Sequence, residues 1–332
     1  MGNKALNRKV CVAPMLDWTD RHERSFLRMI SQHTVLYTEM ITTGALLHGR
    51  DPERFLKFDK QEHPIALQLG GSDPEAIKTC AAKAAAFGYD EVNLNVGCPS
   101  DRVQKGRFGA CLMAEPDLVA ECVSAMAQSG LATTVKTRIG IDEQDSYEFL
   151  HELVTKVKDA GCQTLIVHAR KAWLEGLSPK QNREIPPLKY DVVYRVKQDF
   201  PDLEIILNGG VQTLEQVEGH LANVDGVMIG REAYQNPYIL AEVDQRFYGE
   251  TKIKDRSEVV DQLCIYAAER VAEGVPVKSI TRHVLGLFNG LPGARAWRRS
   301  LSQNAFKPGS DESVIRQAYE EFLDAGQARE VA

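Results

Sequence analysis

Eight short β-rich runs constrain this chain more than any other feature. They fall at residues 10–15, 35–40, 64–70, 89–96, 133–139, 163–169, 203–209 and 224–230, and helical patterns fill most of the gaps between them. Start signals mark several of those helices: Asp73-Pro74-Glu75 before an alanine-rich stretch, Glu115-Pro116-Asp117 before another, and Asp145-Ser146 before a pattern that Gly161 closes. Eight β/α units in about 240 residues predict an α/β fold, a (β/α)8 TIM barrel. The competing arrangement, an open doubly wound sheet, calls for fewer strands or a G-x-G-x-x-G turn after the first one, and that turn occurs nowhere.

After Gly249 the pattern changes. Helical segments at 257–273, 278–288, 294–304 and 313–325 follow one another without strands, so a barrel domain at 1–249 and a small C-terminal helical domain at 250–332 are expected. The alternative is that these helices decorate the barrel. With 332 residues, 43% of them hydrophobic, the chain has ample material for such a core. No apolar run approaches the ~18 residues of a bilayer span. Seven cysteines, an odd number with no C-x-x-C pair, argue for a reducing, cytoplasmic setting and against structural metal. The net charge of −6 speaks at first against nucleic acid, but the sum hides a local exception: residues 274–310 hold six Lys or Arg (278, 282, 295, 298, 299, 307) and no Asp or Glu. Such a stripe suits phosphate contacts whose strength falls with salt. Trp297, among the arginines, either stacks a base or packs in the helical core.

Strands of a parallel barrel are covered on both faces and should be almost wholly apolar. Here the exceptions obey a parity. Val92, Leu94 and Val96 alternate with Asn93 and Asn95, Leu67 and Leu69 flank Gln68, and Val135 alternates with Lys136 and Arg138. His168 and Asn208 close the sixth and seventh runs. If the apolar sets face the helices, these seven polar residues face the barrel interior near the C-terminal strand ends, where barrel enzymes place their chemistry. An unpaired Lys and Arg there are costly to bury, so an anionic, hydrogen-bonding ligand is implied.

Asn208-Gly209-Gly210 and Gly230-Arg231 follow the seventh and eighth runs, where barrels commonly hold a phosphate on glycine N–H groups, with Arg231 or His168 to neutralise it. A phosphate there, an amide at Gln68 and a cation at Lys136 fit flavin mononucleotide, whose reduced ring a lysine would stabilise. The loop after the fourth run, Asn95-Val96-Gly97-Cys98-Pro99-Ser100, places one cysteine on the active face. An ordinary thiol, with a pKa of roughly 8.5, is mostly protonated at neutral pH and can donate a proton opposite a hydride donor. Cys11, Cys80, Cys122 and Cys264 read as small hydrophobes.

These residues resemble the tRNA-dihydrouridine synthases, and among them the DusA branch, over nearly the whole length. The matching segments include Ala13-Pro14-Met15-Leu16-Asp17-Trp18-Thr19-Asp20, Leu67-Gln68-Leu69-Gly70-Gly71, the Asn95 to Ser100 loop, Val135-Lys136-Thr137-Arg138, His168-Ala169-Arg170, Asn208-Gly209-Gly210 and Met228-Ile229-Gly230-Arg231. The resemblance implies an FMN-bearing barrel with a helical tRNA-binding domain. It implies that NADPH reduces the flavin, that hydride passes to C6 of uridine at positions 20 and 20a of the tRNA D-loop, and that Cys98 gives the proton to C5. Its flavin contacts carry over to Pro14, Met15, Leu16, Gln68, Lys136, His168, Asn208, Gly209, Gly210, Gly230 and Arg231, and its tRNA contacts to Asn95, Lys180, Arg183, Arg295 and Arg298. No metal or membrane partner is implied, and a monomer is expected. Two other functions fit parts of the pattern. An FMN barrel that reduces a free metabolite would leave the cation-only segment unexplained. In a non-catalytic RNA-binding barrel, Cys98 would be structural.

Overall fold

The computed structural model describes residues 6–330. Eight strands, β1 (Val10–Val12), β2 (Val35–Thr42), β3 (Ile65–Gly70), β4 (Glu91–Val96), β5 (Ala132–Arg138), β6 (Thr164–His168), β7 (Glu204–Asn208) and β8 (Gly226–Ile229), form a closed barrel in sequence order. Every neighbouring pair is parallel, and β8 closes on β1. The barrel predicted from the alternation is the observed one. The first strand is shorter than its apolar run: Ala13 N still donates to the Ile229 carbonyl at 2.8 Å, but Pro14 has no N–H to continue the ladder. Two of the three predicted start signals act as side-chain caps, while Glu115 precedes helix Pro116–Ala127 without a side-chain cap bond. Asp73 accepts from Glu75 N ahead of helix Pro74–Phe87, and Ser146 accepts from Phe149 N ahead of helix Tyr147–Asp159.

Halfway up the barrel Cys11, Ala13, Val35, Tyr37, Ala66, Ile166, Ile206 and Met228 form one buried cluster. Ala66, Ile166 and Ile206 stand two residues before Gln68, His168 and Asn208, so the polar set shares the inward face. The predicted parity therefore holds. Below the apolar layer lies a second polar one that the sequence reading did not reach. Arg8 bridges Glu91 and Glu204 at 2.8 Å each, Tyr37 and Thr134 hydroxyls donate to Glu91 at 2.7 and 2.5 Å, and the Thr164 hydroxyl donates to Glu204 at 2.6 Å. Burial opposes the charge on Arg8, but the two carboxylates outweigh it and hold the guanidinium protonated.

The chain divides into two compact units: the described residues up to Asp17 with Val35–Gly230, and Trp18–Thr34 with the residues from Arg231 on. This division passes at Gly230, and helix Arg21–Ile30 groups with the C-terminal helices. Residues 1–5 and 331–332 of the expected domains lie outside the described residues. Within the second unit the Asp244 carboxylate explains the grouping, accepting from the Ser31 hydroxyl and Gln32 N at 2.6 Å and from His33 N at 3.3 Å. Helices Arg256–Ala272, Ala294–Asn304 and Ser313–Glu330 match their predicted segments. The helix expected at 278–288 is instead two short pieces, Lys278–Thr281 and Val284–Gly286. Gly286 sits so close to the Gln235 carbonyl that a Cβ would lie 2.5 Å from its oxygen, a contact an uninterrupted helical side chain would forbid. No described helix is long and apolar enough to cross a membrane.

Candidate active site at the C-terminal end of the barrel

Because the strands are parallel, the C-terminal ends of β1, β3, β4, β5, β6, β7 and β8 open on one side, bringing together Pro14, Met15, Leu16, Gln68, Asn95, Cys98, Lys136, His168, Asn208, Gly209, Gly210 and Gly230. Inside, the amides form a ladder. Asn93 Nδ2 donates to Thr134 Oγ1 (2.8 Å), Gln68 Nε2 to Asn93 Oδ1 (2.8 Å) and Asn95 Nδ2 to Gln68 Oε1 (2.9 Å). Asn95 Oδ1 in turn accepts from the backbone of Gly97 at 3.1 Å and Cys98 at 2.9 Å. The asparagine expected to meet the nucleotide therefore first shapes the cysteine loop, and only its remaining N–H is available outward. Ala110 N donates to the Cys98 carbonyl at 2.9 Å, an approach that needs glycine beside it: Gly109 has φ +78°, and a Cβ there would lie 2.6 Å from that same oxygen. Cys98 itself is partly exposed, with Sγ 3.6 Å from Ser100 Oγ.

The cations face this loop from β5. Lys136 Nζ donates to Asn208 Oδ1 at 2.9 Å, and Asn208 Nδ2 is fixed by the Met228 carbonyl at 2.8 Å. Arg138 is nearly buried and donates to the carbonyls of Gly97 (2.8 Å), Lys171 (3.0 Å) and Asn182 (3.1 Å). No described carboxylate forms an ion pair with either cation, and the electrostatics register it. Burial and then Arg138 push the Lys136 ammonium down to about 7, and burial lowers Arg138 to about 10. Burial, with Arg138 and Lys136 behind it, holds the His168 imidazole well below its usual range. His168 thus offers a neutral ring, and the cation that sequence reasoning assigned to it appears only if an anion arrives.

Beside these, Gly209 and Gly210 take φ +117° and +75°. A Cβ on Gly209 would come within 2.7 Å of the His168 ring, and one on Gly210 within 2.7 Å of the Tyr190 hydroxyl, so only glycine fits the turn. Gly230 differs, since a Cβ there would meet nothing within 4 Å. Leu16 is 64% exposed, an apolar side chain at the rim of a polar mouth. Lys180 and Arg183 are exposed on the loop after β6, and the charge of Arg183 acts on both Arg138 and His168. The remaining residues belong to the second unit: Arg231 opens helix Arg231–Gln235, and Arg295 and Arg298 lie on helix Ala294–Asn304. There Trp297 is fully buried, donating to the Val284 carbonyl at 3.0 Å and packing on Phe288, which leaves the arginines of that helix on its outer side and settles the tryptophan as core.

The profile of the dihydrouridine synthase family matches residues 11–324. The chain belongs to that family. It is a flavin-dependent oxidoreductase of the kind that reduces uridine in tRNA to dihydrouridine. Among similar proteins, the tRNA-dihydrouridine(20/20a) synthase of Shewanella oneidensis is 60% identical over 96% of this chain and 95% of its own length. Those of Vibrio cholerae and Escherichia coli K12 are 59% and 57% identical over 93% and 94% of this chain, and 95% and 91% of their own lengths. A solved structure of 2-naphthoyl-CoA reductase with 2-naphthoyl-CoA superposes with a TM-score of 0.56 at 9% identity, over 74% of this chain and about half (51%) of that one. At that identity the likeness speaks for the barrel alone.

Proposed function

We propose that this dihydrouridine synthase binds FMN in the barrel mouth, is recharged by NADPH, and acts at positions 20 and 20a of the tRNA D-loop. One observation carries the reading: two cations, the half-buried Lys136 and the buried Arg138, stand without a described acidic partner beside a glycine turn and a cysteine loop. The donor set fits the cofactor. Gly209, Gly210 and Gly230 would offer backbone N–H groups to its phosphate, with Arg231 as the counter-charge and the His168 ring beside them. Pro14, Met15 and Leu16 would supply apolar contact, while Gln68 would give its remaining donor and acceptor to the ring. Lys136, aimed by Asn208, would neutralise negative charge on the ring.

FMN, when bound, would supply a hydride for C6 of uridine. Cys98 donates the proton to C5, from a loop that Asn95 and Arg138 hold by its N–H groups and its carbonyl. The uridine must leave the tRNA stack to arrive there. Asn95, Lys180 and Arg183 on the barrel, and Arg295 and Arg298 on the helical part proposed to hold tRNA, would contact the nucleotide and its phosphates. A barrel domain for the flavin, a C-terminal helical domain for the RNA, a monomeric state and a cytoplasmic location complete the reading.

Replacing Cys98 by Ala tests it. Flavin absorption and NADPH-driven flavin reduction should persist, while dihydrouridine formation falls about a hundredfold or more. Normal formation by Cys98→Ala sinks the acid role. A colourless protein that takes up no added FMN sinks the cofactor.

A further inference from the structure

The loop carrying Cys98 and the loop after β6 are fastened together at two separate points. The first is Arg138, whose Nε holds the Gly97 carbonyl at 2.8 Å while NH1 holds the carbonyls of Lys171 and Asn182. The second is Gln104, in the short helix that follows Cys98. Its Nε2 donates to the Pro99 carbonyl at 2.9 Å and to the Leu174 carbonyl at 2.5 Å. One side chain thus grips the residue before Cys98 and the other the residue after it, and both tie that residue to 171–182.

The receiving loop is built to transmit position. Asn182 is fully buried, accepts from Trp173 N at 2.8 Å, and donates to the Trp173 and Leu177 carbonyls at 2.9 and 3.2 Å. It stands between Lys180 and Arg183, the exposed cations of the same loop. A polyanion drawing on those cations therefore pulls on a cross-linked segment whose backbone oxygens are the acceptors of Arg138 and Gln104.

We infer that Gln104 is a positioning residue that, with Arg138, couples engagement of the 171–183 loop by RNA phosphate to the placement of the Cys98 thiol. This rests on Cys98 as the proton donor. Gln104 touches no reacting atom. Its amide sets where the acid stands, and does so in step with the loop that meets the RNA.

The test separates binding from chemistry. Gln104→Ala should keep flavin absorption, NADPH oxidation and, within about twofold, the KM for tRNA, while single-turnover dihydrouridine formation falls about tenfold, the equivalent of one or two neutral hydrogen bonds. Gln104→Glu, the same size without donors, should give the same split and carries the test if truncation costs the flavin. Gln104→Lys, which restores an N–H donor, should recover most of the rate. Arg183→Ala should lower both tRNA affinity and the single-turnover rate in the native background, with a distinctly smaller effect on the rate in the Gln104→Ala background, where Arg138 alone still links the loops. A native rate in both Gln104→Ala and Gln104→Glu, or equal effects of Arg183→Ala in the two backgrounds, overturns the coupling. If Cys98→Ala is inactive while the Gln104 variants are native, this inference fails and the acid role stands. If Cys98→Ala is active, the acid role fails whatever the Gln104 variants do.

Discussion

The two ends of the barrel handle buried charge in opposite ways. At the N-terminal end Arg8 meets two carboxylates at 2.8 Å, and three hydroxyls donate to those same carboxylates. At the C-terminal end Lys136 and Arg138 meet only neutral oxygens, and Lys136 is pushed down to about 7. The first arrangement is complete and needs nothing from outside. The second is an electrostatic deficit, and the missing charge is what a phosphate and an anionic ring would bring.

Arg8→Met should break the complete end outright. Glu91 and Glu204 would be left without their counter-charge, and we expect a loss of about 3–5 kcal/mol in urea unfolding. Lys136→Met should do the reverse. The apoprotein is expected to be as stable as native or more so, because a half-buried cation with no carboxylate partner is gone, while FMN binds at least about tenfold more weakly by fluorescence titration. If both variants lose stability alike, the two ends do not differ as described.

pH sharpens the contrast. The pKa of Lys136 is lower folded than unfolded, so between about 7 and its ordinary value of 10.5 the unfolded chain binds more protons. Apoprotein stability should therefore gain from this group as pH rises through that window. Anion binding must restore the proton, so FMN affinity should weaken as pH rises above about 7, and Lys136→Met should flatten that dependence.

The smallest effect concerns Arg295, exposed, and Arg298, half-exposed, on helix Ala294–Asn304, for which no ion pair is described. Arg295→Glu and Arg298→Glu should weaken tRNA binding with a shallower salt dependence, by roughly one unit of slope for each arginine that meets a phosphate, and leave NADPH oxidation unchanged. An unaltered slope would reduce that surface to a solvated face.

Barrel and mouth were both legible in the sequence because period-two alternation writes the inward face directly into the chain: Asn93 and Asn95 stand between valines and a leucine, and Lys136 and Arg138 alternate with Val135, Thr137 and Ile139. The lower polar layer was not read, although Glu91 has the parity of Asn93. Glu91 and Glu204 begin their strands and Arg8 precedes one, where a charge looks like the end of a loop. The links from Arg138 and Gln104 to carbonyls were invisible for another reason. Backbone oxygens have no residue identity, so no spacing encodes them. Trp297 was ambiguous by composition, yet Ala294, Trp297 and Leu301 mark one helical face, and that face is the buried one.

A hydroxyl or an amide can present either its hydrogen or its oxygen, but the Glu91 carboxylate, paired with Arg8, can only accept. Thr134 must then donate to it and receive from the Asn93 amide nitrogen, which turns the Asn93 oxygen toward Gln68, the Gln68 oxygen toward Asn95, and the Asn95 oxygen toward the N–H groups of Gly97 and Cys98. The amides form a one-way file whose direction is set alike at both ends, by an acid at the floor that can only accept and by backbone N–H groups at the mouth that can only donate. With a neutral amide at position 91 the file could reverse, and Asn95 would present hydrogens to the backbone hydrogens it now holds. The Cys98 loop and the ion-paired floor of the barrel thus impose one polarity on the amides between them.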